Sequence, residues 1–203
     1  MSRRSVSRII PLFVATFSPS LFAASIPGVP NFDKVDEHVY RGGQPTDRGF
    51  HNLAKLGVKT IVDLREADDR GAAEKRVVTG AGMNYVNVPM TGLTPPTEGE
   101  ITKILSLLED GNTGPVFVHC KRGADRTGAV IAVYQIHFHK WDNARALQDA
   151  KAHGMSLFQF PRQHYVMNFR PRSVEASGSA KPSDSNAGVT VPASAIPASA
   201  VRN

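Results

Sequence analysis

Cysteine is almost absent from this sequence, in which Cys120 is the single thiol among 203 residues. A single cysteine excludes an intramolecular disulfide and any metal site built from several cysteines. The fold must therefore be stabilised by a hydrophobic core, and the roughly 140 residues in the middle of the chain are enough to form one. Because no other cysteine is present, the surroundings of Cys120 are the first place to look for thiol chemistry.

Acidic residues are missing from the start of the chain as far as Asp33. Residues 1–25 instead carry three arginines, then an apolar stretch, then small residues at 23–25. This order is typical of a secretory signal peptide. We expect residues 1–25 to direct export to the periplasm or the medium. An uncleaved membrane anchor and an organelle transit peptide are the alternatives.

Long apolar runs are also lacking. The apolar stretch of the leader is short and contains Pro11, so no stable membrane span is predicted. Beyond residue 170 the chain turns to serine, alanine, proline and glycine without periodicity, and we predict a disordered tail over 171–203. Residues 26–170 are left as one domain, which we expect to act as a monomer.

The basic composition does not indicate nucleic-acid binding. The net charge is +6, but residues 26–170 hold 18 cations against 16 acids. The leader adds three cations and no acid, and the tail adds three cations and two acids. A nucleic-acid site needs a basic face on the folded domain, so no nucleic-acid partner is expected.

Apolar runs and amphipathic segments alternate through the domain. Strands are predicted at 31–35, 38–41, 60–65, 84–88 and 115–119, and helices at 46–56, 69–81, 97–108, 129–138, 142–151 and 158–169. Such alternation is typical of an α/β fold with a largely parallel sheet covered by helices on both faces. Parallel sheets bind ligands at the carboxyl ends of their strands, and Cys120 follows directly after a strand.

The segment 116–128 runs from a strand through a short loop into a helix. A helix N-terminus and a nearby cation can lower the pKa of a thiol, so Cys120 is a candidate nucleophile. Backbone amides of residues 121–126 can hold the oxygens of a phosphate, and Arg126 can pair with two of them. Gly123 and Gly128 suit a loop that needs positive φ or close backbone approach. Thr127 can donate to the sulfur.

His119-Cys120-(five residues)-Arg126-Thr127-Gly128 resembles the motif of the cysteine-based protein tyrosine and dual-specificity phosphatases. Lys-Arg-Gly-Ala-Asp-Arg-Thr-Gly at 121–128 is closest to their atypical bacterial, plant and fungal branch, and Val39-Tyr40-Arg41-Gly42-Gly43-Gln44-Pro45 is similar to the opening of that branch. Together these motifs bracket residues 32–170.

The resemblance implies a phosphotyrosine phosphatase-like three-layer α/β/α sandwich with a mainly parallel sheet. It also implies hydrolysis of phosphomonoesters through a phosphocysteine, without a cofactor. Cys120, Arg126 and Asp125 are the expected catalytic residues. Six residues are expected to bind substrate or to orient the loop that binds it: Lys121, Arg122, Gly123, Ala124, Thr127 and His119.

The proton donor to the leaving group is not obvious. Relatives use an aspartate on the loop after the fourth strand, but residues 89–96 contain no carboxylate. Asp125 is our first candidate, because phosphoinositide phosphatases of the myotubularin and Sac types carry an aspartate at this position. Asp63, Glu98 and Glu100 are the alternatives, although Glu100 has the spacing of a helix cap and Asp63 can pair with an arginine.

Three functions stay open at this point. A dual-specificity phosphatase would act on phosphorylated protein, and a phosphoinositide or inositol phosphate phosphatase would use the same chemistry with Lys121, Arg122 and Asp125. The absent loop aspartate motivates the third, a phosphate-binding pseudophosphatase. No metal site is predicted, since His137 and His139 are spaced too closely to share a helical face.

Overall fold

The computed structural model describes residues 25–171. The predicted signal peptide over 1–25 and the predicted tail over 171–203 lie outside this range, apart from one residue each, and both stay predictions. Across the described part of the chain, every helix is too short or too polar to cross a bilayer.

Five strands form one mixed sheet in the order β1-β2-β5-β3-β4. They are β1 Asp33–Lys34, β2 Val39–Gly42, β3 Thr60–Asp63, β4 Asn84–Asn87 and β5 Val116–His119. Only β1 pairs antiparallel with its neighbour; the other pairings are parallel. The largely parallel sheet predicted from the alternating pattern is confirmed.

Helices cover both faces of this sheet. They are α1 Asp47–Leu56, α2 Asp69–Gly80, α3 Glu98–Glu109, α4 Asp125–His137, α5 Asn143–Ala152 and α6 Phe160–Asn168. Several begin at polar caps, and the capping box predicted at Thr97 and Glu100 is present. A side chain that satisfies the first free amides of a helix fixes where the helix begins.

Strand β5 shows why the molecule has three layers. Successive side chains of a strand point to opposite faces, and all four residues of β5 are buried. Val116 and Val118 pack in the core beneath α3 and α4, whereas Phe117 packs with Phe50 of α1 and Val78 of α2. Burial on both faces is what a central parallel strand requires, and it confirms the predicted α/β/α sandwich.

Helix α4 begins earlier than the sequence predicted. We expected it from Ala129, but it begins at Asp125, so Arg126 and Thr127 lie in its first turn. Gly128 is therefore a helical residue and not part of a loop with positive φ. A Cβ at Gly128 would lie 3.2 Å from Met155 Cε and 3.4 Å from Ala150 Cβ. Its small size instead allows α4 to pack closely on α5.

The register of the sheet places one edge next to Cys120. Gly42 of β2 and Asp63 of β3 both pair with His119, so three strands end side by side directly before the cysteine. The loop that follows presses on the end of β2, because Gly123 has φ +72° and a Cβ there would lie 2.4 Å from the Gly42 carbonyl carbon. Glycine is required at this position for both its backbone conformation and the space available.

We expect Gly123→Ala to lower the free energy of unfolding by about 2–4 kcal/mol, since it combines a left-handed backbone with steric overlap. Gly82→Ala is the matched control. Gly82 also has positive φ, +78°, but nothing lies within 4 Å of its Cβ position. This control should lose only about 1 kcal/mol in urea unfolding. Equal losses in the two variants would show that the contact with β2 is unimportant.

Candidate active site

The site is a hollow formed by the loop between β5 and α4. Cys120 lies at its base with only 3% of its surface exposed. The side chain of Arg126 is held by its Nη1, which donates to the carbonyl oxygens of Met90 at 3.2 Å and Leu64 at 3.4 Å. These carbonyls follow the ends of β3 and β4, so the sheet itself positions the guanidinium.

The surroundings of Cys120 favour the thiolate. Burial raises the pKa of its thiol, but hydrogen bonds from the Thr127 side chain and amide, the charge of Arg126 and the Gly123 amide outweigh burial. The net pKa lies below its ordinary value. Because a thiolate is the reactive form of cysteine, this environment suits a nucleophile.

The Thr127 hydroxyl is placed to interact with the Cys120 sulfur. Thr127 is fully buried, and its Oγ1 makes no conventional hydrogen bond within residues 25–171. Because this hydroxyl has no other acceptor there, it is available to the Cys120 sulfur, and its interaction with the sulfur lowers the pKa of that thiol.

The carbonyl groups of the loop are tied to residues outside the hollow. The oxygen of Lys121 accepts from the Gln44 amide at 3.2 Å. Asn31 Nδ2 donates to the carbonyls of Arg122 and Gly123 at 3.4 and 3.1 Å. With carbonyls directed outward, the amides can line the hollow, and those of Gly123 and Thr127 do interact with the sulfur. A curl of inward amides at a helix N-terminus is an anion-binding arrangement.

Arg41 supports the loop from behind, a role that the sequence did not reveal. Its side chain is buried, and Nη2 donates to the Gly123 carbonyl at 3.1 Å. Nη1 lies 3.6 Å from the carboxylate of Asp149. A charged residue within the apolar strand β2 was the available signal, because an arginine is buried only when it has specific partners.

His119 does not enter the hollow. As the neighbour of Cys120 along β5 it points to the other face of the sheet, where its ring stacks on Phe117 at 5.7 Å. Its Nε2 hydrogen bonds Glu74 Oε1 at 2.9 Å, and its Nδ1 lies 3.4 Å from the Cys120 carbonyl oxygen. His119 can orient the loop from beneath but is not placed to bind substrate.

A buried ion-pair network surrounds this histidine. Asp63, Glu74 and His119 bring potential ligand atoms within 4.8 Å of one another. The guanidinium of Arg65 lies among them and donates to Asp63 Oδ2 at 2.7 Å and to Glu74 Oε2 at 2.5 Å. Because Arg65 donates to both carboxylates, we interpret the cluster as an ion-pair network.

The four candidate proton donors have different surroundings. Asp63 pairs with Arg65; burial raises its pKa, but the bonds from Arg65 lower it below the ordinary value, which suits a permanent anion. Glu100 Oε2 accepts from the Thr97 amide at 2.6 Å in the capping box. Glu98 begins α3, where its charge acts on Tyr165.

Asp125 is the candidate that directly precedes Arg126, as the first residue of α4. One carboxylate oxygen accepts from exposed Arg122, and the other accepts from the Ser156 amide at 2.9 Å. The carboxyl group therefore links the first residue of α4 to the loop before α6. Its role as proton donor stays a prediction.

A second arginine near the hollow was not predicted. Arg162 of α6 is fully buried, and it donates to the carbonyls of Thr91 at 2.6 Å and Gly92 at 2.8 Å. Burial lowers its pKa, and the like charge of Arg126 lowers it further. Arg162 therefore lies close enough to Arg126 to add positive potential to the site.

Comparisons with known proteins agree with this geometry. The family described as DSP-PTPase phosphatase fused to NAD+ kinase matches residues 25–168. The dual specificity protein phosphatase TpbA of Pseudomonas aeruginosa PAO1 is 33% identical over 144 residues, which cover 69% of this chain and 61% of TpbA. Inositol diphosphatase DSP5 of Arabidopsis thaliana is 28% identical over 106 residues, which cover 50% of this chain and 52% of DSP5. The chain thus matches less than two thirds of either relative's length.

The crystal structure of P. aeruginosa TpbA superposes on this fold with a TM-score of 0.62 and 26% sequence identity. The superposition covers 75% of this chain and 92% of the TpbA chain. The resemblance therefore extends over the sheet, the helices and the loop that carries Cys120.

Thr127→Val should move the titration midpoint of Cys120 to higher pH, because the substitution removes a hydrogen bond to the thiolate and keeps the side-chain shape. Cys120 is the only cysteine, so thiolate absorbance at 240 nm or the pH dependence of alkylation by iodoacetamide reports on it alone. Thr79→Val is the control, since the Thr79 hydroxyl bonds only to carbonyls of its own helix. An unchanged midpoint in Thr127→Val would show that the Thr127 hydroxyl does not stabilise the Cys120 thiolate.

Proposed function

The chain belongs to the family described as DSP-PTPase phosphatase fused to NAD+ kinase, and on that basis we propose that it is a cysteine-dependent phosphatase of phosphomonoesters. Its substrates are phosphotyrosine and, in the dual-specificity manner, phosphoserine and phosphothreonine in proteins. The observation that carries this proposal is geometric: Cys120 is buried directly before the first turn of α4, which carries Arg126, and the carbonyls of the loop between them bond to Asn31 and Gln44. A stabilised thiolate beside an oxyanion site is the arrangement that phosphoryl transfer to sulfur requires.

The reaction has two steps. The Cys120 sulfur attacks phosphorus while the bond from phosphorus to the leaving oxygen breaks, and a carboxyl group gives that oxygen a proton. The loop amides and Arg126 hold the three non-bridging oxygens as their charge increases. Water then attacks phosphorus, the phosphorus–sulfur bond breaks, and inorganic phosphate leaves. The Thr127 hydroxyl stabilises the departing sulfur.

Asp125 is proposed as the proton donor. It lies directly before Arg126, whereas Asp63 and Glu100 are held in an ion pair and a helix cap. Its partner Arg122 is exposed and can move away when substrate binds, since the pair lies at the surface. In the first step the carboxyl proton goes to the leaving oxygen, and in the second the carboxylate takes a proton from the attacking water.

Hydrolysis of phosphoinositides or inositol phosphates is the second candidate. The relative DSP5 is named as an inositol diphosphatase, and Arg162 supplies an additional buried cation near Arg126. A substrate with several phosphates gains from such added positive potential. Release of phosphate from phosphopeptides and from soluble inositol phosphates, measured side by side, separates the two substrate classes.

Export is proposed for the location of this activity. The support is the charge pattern of residues 1–25, with three arginines ahead of an apolar stretch. Cleavage after this segment would release the domain into the periplasm or the medium, and an uncleaved leader would anchor it to the membrane.

Cys120→Ser should abolish hydrolysis of every substrate, because the hydroxyl at this position is not ionised at neutral pH. Arg126→Lys should lower kcat/KM by about 10²–10³, since lysine keeps the charge but loses the planar fork. Arg145→Lys is the matched control, because Arg145 stacks on Trp141 at the surface. Hydrolysis that persists in Cys120→Ser, or a chain that binds phosphate without turnover, would favour a different mechanism or a pseudophosphatase.

Asp125→Asn should slow hydrolysis of phosphoserine about 10²-fold, because an alkoxide leaves poorly without a proton, and slow 4-nitrophenyl phosphate much less. Asparagine keeps an oxygen that can accept from the Ser156 amide, so we expect the variant to fold as the parent chain does. Glu100→Gln is the control. If Asp125→Asn hydrolyses phosphoserine as fast as the parent chain, the donor is another residue.

A further inference from the structure

Four large apolar side chains project into solvent, one from the loop after β4 and three from the segment that leads into the first residue of α6. Leu93 is 77% exposed, Leu157 70%, Phe158 83% and Phe160 67%. We call these residues the apolar rim. Isolated exposed apolar residues are ordinary, but four on adjoining segments are costly to leave in water and usually mark a binding surface.

Hydrogen bonds hold the two segments of the apolar rim together. Arg162 Nη1 donates to the Gly92 carbonyl at 2.8 Å, and Gln159 Nε2 donates to the same oxygen at 3.3 Å. Gly92 directly precedes Leu93, and Gln159 lies between Phe158 and Phe160. The four side chains therefore belong to one surface.

The same segments are attached to the active site. The Ser156 amide donates to Asp125 Oδ1 at 2.9 Å, and Arg126 Nη1 donates to the Met90 carbonyl at 3.2 Å. Each segment thus begins at a residue that contacts the first turn of α4. The segments that carry the apolar rim are therefore anchored to the same turn of α4 that carries Arg126.

Two cations near the opening, Arg122 and Arg162, already hydrogen bond to other groups of the protein. Arg122 pairs with Asp125, and buried Arg162 donates to two carbonyl oxygens and to Gln159 Oε1 at 2.6 Å. Lys121 is exposed in the loop. A ligand that carries several phosphates needs a ring of available cations, whereas the segments anchored to the first turn of α4 carry exposed apolar side chains.

We propose that the apolar rim binds apolar side chains that flank the phosphorylated residue of a polypeptide substrate. This inference rests on the proposed phosphatase function and adds to it the surface that selects among phosphorylated polypeptides. Because Cys120 lies at the base of the hollow, the phosphate enters while the neighbouring residues of the substrate remain at the opening. There they meet Phe158 and Phe160, which bury a large apolar area at little cost in conformational entropy.

Binding to the full chain with Cys120→Ser tests the proposal. Two fluorescein-labelled phosphotyrosyl peptides are compared by fluorescence polarisation, one with leucine and valine beside the phosphotyrosine and one with serine at those positions. We expect the apolar peptide to bind about tenfold more tightly. Adding Phe158→Ser and Phe160→Ser should bring the ratio of the two Kd values close to one.

Leu56→Ser, also in the Cys120→Ser chain, is the matched control. Leu56 is 45% exposed, but it ends α1 on the other face of the sheet, so the tenfold preference should persist. Since the substituted side chains are exposed, all variants should keep the melting temperature of the parent chain. An equal preference with and without Phe158 and Phe160 overturns the proposal.

Vesicles of anionic phospholipid distinguish a membrane surface from a peptide surface. If the double substitution abolishes cosedimentation with vesicles and leaves the peptide ratio unchanged, the apolar rim contacts lipid and the proposal is wrong. A further outcome concerns the chain with intact Cys120. If it hydrolyses inositol phosphates but the Cys120→Ser chain binds both peptides equally, the proposal for the apolar rim is wrong and the phosphatase function stands. If the apolar peptide binds more tightly but the chain with intact Cys120 hydrolyses no phosphorylated substrate, the phosphatase function is wrong instead.

Discussion

The site depends on one condition: a negative charge must be stable on a sulfur atom that water barely reaches. Burial alone would favour the neutral thiol of Cys120, so the protein must supply replacements for water. It does so with the Thr127 hydroxyl and amide, the Gly123 amide and the positive charge of Arg126. The groups that stabilise the sulfur anion are also those that can receive the oxygens of a phosphate.

These groups keep their orientation because much of the domain holds the loop from outside. Asn31 and Arg41 draw its carbonyls outward, and carbonyls after β3 and β4 hold Arg126. Beneath the loop, Arg65 joins Asp63 of β3 to Glu74 of α2, and Glu74 bonds to His119. Breaking such a buried network by removing one partner leaves a charge without compensation, so the loop and the sheet are energetically linked.

The order of strands and helices was predictable, because it depends on apolar periodicity and on caps such as Thr97 with Glu100. The start of α4 was predicted four residues too late, since its first turn is filled by polar residues that take part in the site. His119 was expected to bind substrate or to orient the loop, and the alternation of side chains along β5 directs its ring to the face opposite Cys120, where it bonds to Glu74. Arg162 was missed because only the folded chain brings α6 against residues 91–92.

The sequence by itself determined the α/β class and predicted Cys120 and Arg126 as site residues, because both inferences depend on neighbours along the chain. Tertiary structure alone decided which charges are paired, which carbonyls orient the loop and which apolar side chains lie on segments anchored to α4. Those contacts join residues such as Asn31 with Gly123, or Ser156 with Asp125, that are distant along the chain. Local periodicity carries no information about such pairs, since only the packing of helices onto the sheet brings them within hydrogen-bonding distance.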